Sequence, residues 1–201
     1  LAAGEEANRL GRPVVFDPVG VGASRFRNET AAMLLREVRF DVIKGNISEI
    51  AYLAEGIGTT KGVDANLDAL STEGNLRWHT DLARKVSTQT GAAISGPIDI
   101  VADSHEAWAI RNGHPMMANI TGTGCMSAGV IGCCVGADPQ ALLPSCVCAM
   151  SAMGICGELA YEKLLSVDGG SGTYRVLLMD AMSKLDGATL TRRSKAERLR
   201  I

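Results

Sequence analysis

Aromatic residues are scarce: two Trp, three Tyr and three Phe, 4% of 201 residues. That is too few for a sheet that stacks nucleic-acid bases on aromatic platforms. Core volume must come instead from Ala, Val, Ile, Leu, Met and Cys. No excess of one charge is present either. The 20 Lys and Arg nearly balance the 22 Asp and Glu, for a formal charge of -2. This argues against a chain that wraps nucleic acid or binds anionic membranes. None of the six cysteines forms a C-x-x-C pair and no His pair lies near them, which disfavours zinc. G-x-S-x-G, H-E-x-x-H, a Walker loop and a paired-carboxylate signature are all missing. There is no internal repeat, low-complexity tract or obvious linker.

What is present is globular in character. Hydrophobic residues are 46% and charged residues 21%. A chain of this length buries roughly 70% of its unfolded surface and needs no metal or disulfide staples. Glycine, at 23 residues, exceeds the usual share of about 7% and belongs in turns and close backbone contacts. The cysteines crowd between Cys125 and Cys156 in apolar surroundings and read as reduced thiols of a cytosolic protein. Two uncharged stretches, 116–137 and 139–157, are long enough to test as membrane spans. The first holds Asn119, Thr121, Thr123 and several glycines, the second Pro144, and neither has a flanking basic bias, so buried core helices are expected. No signal peptide opens the chain. Its start at Leu1, inside a helical pattern that Gly11 stops, marks it as a fragment in this reading.

The hydrophobic spacing predicts alternating strands and helices over the first half. Strands are expected at 13–16, 41–43 and 92–95, and helices after Asn28 (its cap), after Asn46 and over about 73–89. A loop is expected from Gly56 to Leu70. A hairpin is expected around Asp103-Ser104-His105, a strand at 117–120, and a solvated basic helix end at 191–201. The alternation indicates βαβ units around a parallel sheet with a local antiparallel hairpin. His79 is expected on a helix surface, and His105 and His114 in loops.

Three clusters carry candidate chemistry. Thr121-Gly122-Thr123-Gly124-Cys125 joins a strand to an apolar helix. Its glycines let the backbone approach a ligand, and a helix start bares N–H groups that attract an anion. Thiols at such helix ends ionise more readily, so Cys125 is a candidate base for an alcohol. The same residues also make an ordinary tight turn whose cysteine is a small core hydrophobe. In Lys44-Gly45-Asn46-Ile47-Ser48-Glu49, Asn46 and Glu49 form a capping box. Glu49 is also placed to hold a hydrated Mg2+, and Lys44 to meet phosphate. Asp17-Pro18-Val19-Gly20 closes a strand either as part of a ligand crevice or as a plain turn.

Taken in order, DPVGVGASRFR, IKGNISEI, KGVDA, AISGPIDIVAD, NGH and ITGTGCMSAGVIG resemble the hydroxyethylthiazole kinases of the ribokinase-like superfamily. The resemblance runs from about Ala2 to Gly172 and includes Gly169-Gly170-Ser171-Gly172-Thr173-Tyr174. It implies a three-layer α/β/α fold with a mostly parallel central sheet, built as a single kinase domain over 1–201 that lacks its N-terminal part. It implies ATP- and Mg2+-dependent phosphorylation of 4-methyl-5-(2-hydroxyethyl)thiazole in thiamine salvage. Under it, Cys125 stands in for the superfamily's catalytic Asp. Gly122, Thr123 and Gly124 form the anion hole and touch substrate, Lys44 and Ser95 contact ATP, and Glu49 and Asp17 serve the metal. A cytoplasmic homotrimer is implied, with no nucleic-acid or membrane partner. Lys44 replaces the Arg common in the family and loses its bidentate fork. Pro97 departs from an acidic residue common in relatives. Rival readings are a hydroxymethylpyrimidine or pyridoxal kinase, a NAD(P)H-hydrate dehydratase-like lyase, which keeps Asp where this chain has Cys125, and a non-catalytic binding module.

Overall fold

The computed structural model describes residues 1–56, 75–88, 90, 92–95 and 98–200. The KGVDA motif at 61–65 and the Gly96-Pro97 pair lie outside them. In chain order the elements are α1 (Ala2–Arg9), β1 (Val15–Phe16), α2 (Arg25–Glu37), β2 (Val42–Lys44), α3 (Ile47–Glu55) and α4 (Leu76–Ser87). They continue with β3 (Ala92–Ser95), β4 (Asp99–Ala102), β5 (Ala107–Ile110), a 3-10 turn (Pro115–Asn119), α5 (Thr123–Ala137), α6 (Leu142–Leu164), α7 (Ser171–Lys184), α8 (Gly187–Arg193) and β6 (Ala196–Arg198).

The strands lie side by side in sequence order as one six-stranded sheet. β1, β2 and β3 run parallel, while β4 reverses on β3, β5 on β4 and β6 on β5. Strands β1, β2, β3 and β5 therefore point one way and β4 and β6 the other. Side chains alternate across the sheet. Ile43, Ile100, Ala102, Ala107 and Ala109 face a core shared with α3 and α4. Val42, Val101 and Ile110 face a second core under α5 and α6. With helices on both faces the molecule has three layers. A third cluster joins α6 to α7 and the 3-10 turn. Fully burying a side chain such as Ile43 or Ile100 contributes about 2 kcal/mol.

Several expectations are met locally, because they rest on short-range chemistry. Gly11, at φ +63, follows α1. Asn46 caps α3 in a complete capping box with Glu49. The hairpin turns at Asp103, whose Oδ1 accepts the amides of His105 and Glu106 at 2.7 and 2.8 Å. Leu142–Leu164 is long and apolar enough to cross a membrane, yet 67% of its apolar window is buried inside the fold. It packs between α5 and α7 as a core helix.

Others are corrected. Ser24, not Asn28, caps α2, its side chain accepting from the Arg27 amide; Asn28 lies inside the helix and accepts the Gly22 amide at 2.7 Å. β1 shrinks to two half-buried residues because it lies at the edge of the described sheet. The strand expected at 117–120 is a 3-10 turn begun by Pro115, whose fixed φ and missing N–H favour a helical first turn. The basic tail divides. α8 ends at Arg193, and Ala196–Arg198 pairs with β5 as β6, with Ile110 opposite Ala196. Three of its cations are in ion pairs: Arg193 with Glu162, Lys195 with Glu158 and Arg198 with Glu106. His79 is buried rather than on the surface, since α4 turns it inward with Leu82, Ala83 and Val86; its Nε2 has no partner among the described residues.

Candidate active site

The amino end of α5 is the natural place for an anion. Gly122 caps the helix at φ +97, a left-handed conformation that a side chain would strain. Met126 is the first residue whose amide is bonded back, to the Gly122 carbonyl at 2.9 Å. By helix geometry the N–H groups of Thr123, Gly124 and Cys125 have no carbonyl of their own helix to meet. They share the positive end of the helix dipole.

A cation sits against that end. The Lys44 ammonium lies 3.1 Å from the point where a Cβ on Gly124 would stand, so Gly124 leaves the room that Lys44 occupies. Lys44 closes β2, and its Nζ is 3.5 Å from the Asp17 carboxylate at the end of β1. Both side chains are about 15% exposed (14% and 15%), so this pair is partly shielded from water. Parallel pairing of β1 with β2 brings the two strand ends together. Ser95 closes β3, one residue beyond Ile94, which pairs with Lys44. Asp17, Lys44 and Ser95 thus lie at one end of the sheet, where open α/β sheets place their ligands.

Glu49 holds this corner together from behind. It is buried, and its two oxygens accept the Asn46 amide at 2.8 Å and the Gly20 amide at 2.7 Å. The capping box therefore reaches across to the loop that follows Asp17. Gly45 permits it, since a Cβ there would meet Glu49 Cβ and Oε2 at 3.2 Å. The capping-box reading of the motif is met, and the same carboxylate also secures the loop after Asp17.

In front of Lys44 opens a cavity of about 590 Å3 lined by Lys44, Asn46, Asp99, His114, Thr123 and Gly124 among others, with Met150 and Met153 on its apolar side. Asp17, Glu49, Gly122 and Cys125 are not on that lining. Cys125 is exposed beside it, on the first turn of α5. The structure brings Lys44, Asp17, Gly124 and Thr123 together and leaves the Cys125 thiol open to solvent. All six thiols are free. Burial pushes Cys134 and Cys156 up to about 11 and Cys146 to about 12, with neighbouring thiols adding to the rise at Cys134 and Cys146. Those three behave as small hydrophobes, inert at neutral pH.

Asp99, Asn112 and His114 also line the cavity. They fall in AISGPIDIVAD and NGH, stretches that carried the resemblance, but no chemical role was expected of them; each reaches the pocket through strand pairing or the close packing of a turn. Burial pushes the Asp99 carboxyl up from 3.8 to about 7, opposed by the nearby Lys44 charge. The fold thus favours protonated Asp99. This contribution to stability is complete below about pH 4 and is lost as pH rises through about 7. Asp99→Asn is expected to gain thermal stability relative to the wild type across that window, the gap levelling off above it. Melting temperatures of both proteins at several pH values test this, and parallel curves would overturn it.

The hydroxyethylthiazole kinase family model matches residues 1–188. A hydroxyethylthiazole kinase of Desulfovibrio desulfuricans is 51% identical over 210 residues, covering 100% of this chain and 74% of the relative. One from Clostridium acetobutylicum is 47% identical, covering 94% and 70%. This chain belongs to the hydroxyethylthiazole kinase family. The solved hydroxyethylthiazole kinase of Pyrococcus horikoshii superimposes with a TM-score of 0.79 at 27% identity, over 99% of this chain and 70% of that one. The fold is ribokinase-like, and the chain is a kinase.

Proposed function

We propose that this hydroxyethylthiazole kinase chain transfers the γ-phosphoryl group of ATP to the hydroxyl of 4-methyl-5-(2-hydroxyethyl)thiazole, a step of thiamine biosynthesis. The observation that carries this reading at the site is the Lys44 ammonium seated over Gly124 at the open end of α5. A lysine and a set of backbone N–H groups are suited to a transferring phosphoryl group, whose transition state spreads negative charge over its oxygens.

Cys125, on the first turn of the same helix, takes the hydroxyl proton onto sulfur. The freed oxygen bonds to the γ-phosphorus, the bond from that phosphorus to the β–γ bridging oxygen breaks, and ADP leaves with the electron pair. The proton then passes from sulfur to water. Gly122, Thr123 and Gly124 supply the anion hole, and Lys44 and Ser95 meet the nucleotide phosphates. Mg2+ characteristically uses one or two carboxylates and completes its shell with phosphate oxygens and water. Asp17 and Glu49 fit that limited role: the carboxylate of Asp17 stands beside Lys44, and each Glu49 oxygen accepts one backbone amide and keeps a lone pair. No cluster of three or more metal-binding side chains occurs among the described residues, which suits a cation arriving on the nucleotide. That cation, when bound, neutralises phosphate charge. The reading includes a single kinase domain acting in the cytoplasm as a homotrimer, with small-molecule substrates only.

A parallel assay with thiazole, hydroxymethylpyrimidine and pyridoxal alcohols, each with ATP and Mg2+, tests it. Phosphorylation of the thiazole alcohol with the highest kcat/KM is expected. Preference for pyrimidine or pyridoxal, or ATP consumption with no phosphorylated alcohol, would overturn the assignment.

A further inference from the structure

One wall of the cavity, residues 112–117, rests directly on α6. A Cβ on Gly154 would stand 2.6 Å from the Asn112 carbonyl carbon, oxygen and Cβ, and one on Gly157 would stand 2.3 Å from the Met117 sulfur. These two glycines, three residues apart, form a shallow trough on the helix, and the wall lies closer than a larger residue at either position permits. Glu158 follows on the rim of the trough. One of its oxygens, Oε1, accepts the Gly113 amide at 3.0 Å, the Asn112 side-chain amide at 3.2 Å and the Lys195 ammonium at 2.9 Å. Asn112 is buried and fully engaged: its Nδ2 also donates to the Arg193 carbonyl at 3.0 Å, and its Oδ1 accepts the Lys195 amide at 2.7 Å. A single carboxylate oxygen thus ties together the cavity wall, helix α6 and the segment leading into β6.

The next wall residue is His114. Its ring stacks on Tyr161 of α6, centroids 3.6 Å apart, and its Nδ1 accepts the Met116 amide at 3.1 Å. In the neutral ring this acceptor role places the proton on Nε2. His114 lines the same cavity as Lys44, Thr123 and Gly124. Gly113, at φ +138, turns the chain between the Glu158 anchor and that ring.

We infer that Glu158 is a positioning residue for the kinase site: through Gly113 and Asn112 it fixes where His114 presents its ring to whatever fills the cavity. Glu158 itself does not line the cavity and acts through the wall. The inference rests on the kinase reading for its kinetic test, and a spectroscopic test stands apart from that reading.

In Glu158→Ala, three donors lose their shared acceptor. A rise of about tenfold in KM for ATP or the thiazole alcohol is expected, with kcat changed less than about threefold. Glu158→Gln keeps an oxygen acceptor for the Gly113 and Asn112 amides and is expected to bring KM back within about twofold of the wild type. The ring 15N shifts of His114 should leave their Nδ1-acceptor pattern in Glu158→Ala and recover it in Glu158→Gln. Tyr161→Leu, which removes the stacking partner and leaves Glu158 intact, should raise the same KM. It also serves if Glu158→Ala does not fold. A lowered melting temperature with unchanged KM and unchanged His114 shifts would overturn the inference. Absence of thiazole phosphorylation in the wild type would overturn the kinase reading, while the His114 shifts would still decide the role of Glu158.

Discussion

Replacing Cys125 with alanine is expected to lower kcat by about 10²- to 10⁴-fold, the usual reach of a positioned acid–base group, and to leave the KM for the thiazole alcohol within a few-fold. The side chain is exposed on the first turn of α5, so its loss opens no cavity and leaves the fold intact. Lys44 and the helix amides, proposed to bind the phosphoryl group, remain in place in the variant. What disappears is the sulfur proposed to receive the hydroxyl proton. Cys125→Asp offers a complementary arm, since a carboxylate at the same place accepts a proton and should restore part of the lost turnover. Steady-state kinetics on both variants decide the matter. Wild-type turnover in Cys125→Ala would remove Cys125 from the role of base and leave water as the proton acceptor.

Glu49→Gln should be costly in a different way. Each oxygen of the buried carboxylate accepts one backbone N–H, from Gly20 and from Asn46. A carboxamide has one acceptor and one donor, so one of those amides would face an N–H instead of an oxygen. Losing a charge-assisted bond and leaving a buried donor unpaired costs about 2–3 kcal/mol. For a chain of this size that is a melting-temperature drop of roughly 4–12 °C. Activity should fall by about 100-fold even well below the new melting point. The loop after Asp17 and the start of α3 would no longer be locked together beside Lys44, and small displacements of a phosphoryl site are expensive. A calorimetric melt paired with initial rates checks both halves. Full activity with a lowered melting temperature would show that Glu49 serves the fold alone.

These two residues mark how much was legible in the chain. Asn46 and Glu49 could be read as a cap because a capping box is a matter of four consecutive residues. Cys125, Gly124 and Gly122 could be read because a helix start with glycines bares amides whatever surrounds it. The ordered motifs then carried the family, which the comparisons establish over residues 1–188. His79 was misjudged because one histidine in a helix carries no mark of which face the helix turns inward. The 3-10 turn at Pro115 was misread as a strand because a short apolar run fits either period. The tail was misjudged because nothing local in Lys195-Ala196-Glu197-Arg198 announces that β5 is waiting for a partner strand.

The chain by itself determined the class of the fold, the alternation of strands and helices and the capping box of α3, because each depends on neighbours a few residues away. Only the tertiary structure decided that Lys44 lies over Gly124, that Asp99 and His114 face the same cavity, and that Glu158 holds its wall. Those juxtapositions join residues from 15 to 80 positions apart. They follow from strand order and from two glycines that let a turn settle onto a helix, and such packing has no signature in any short stretch of sequence.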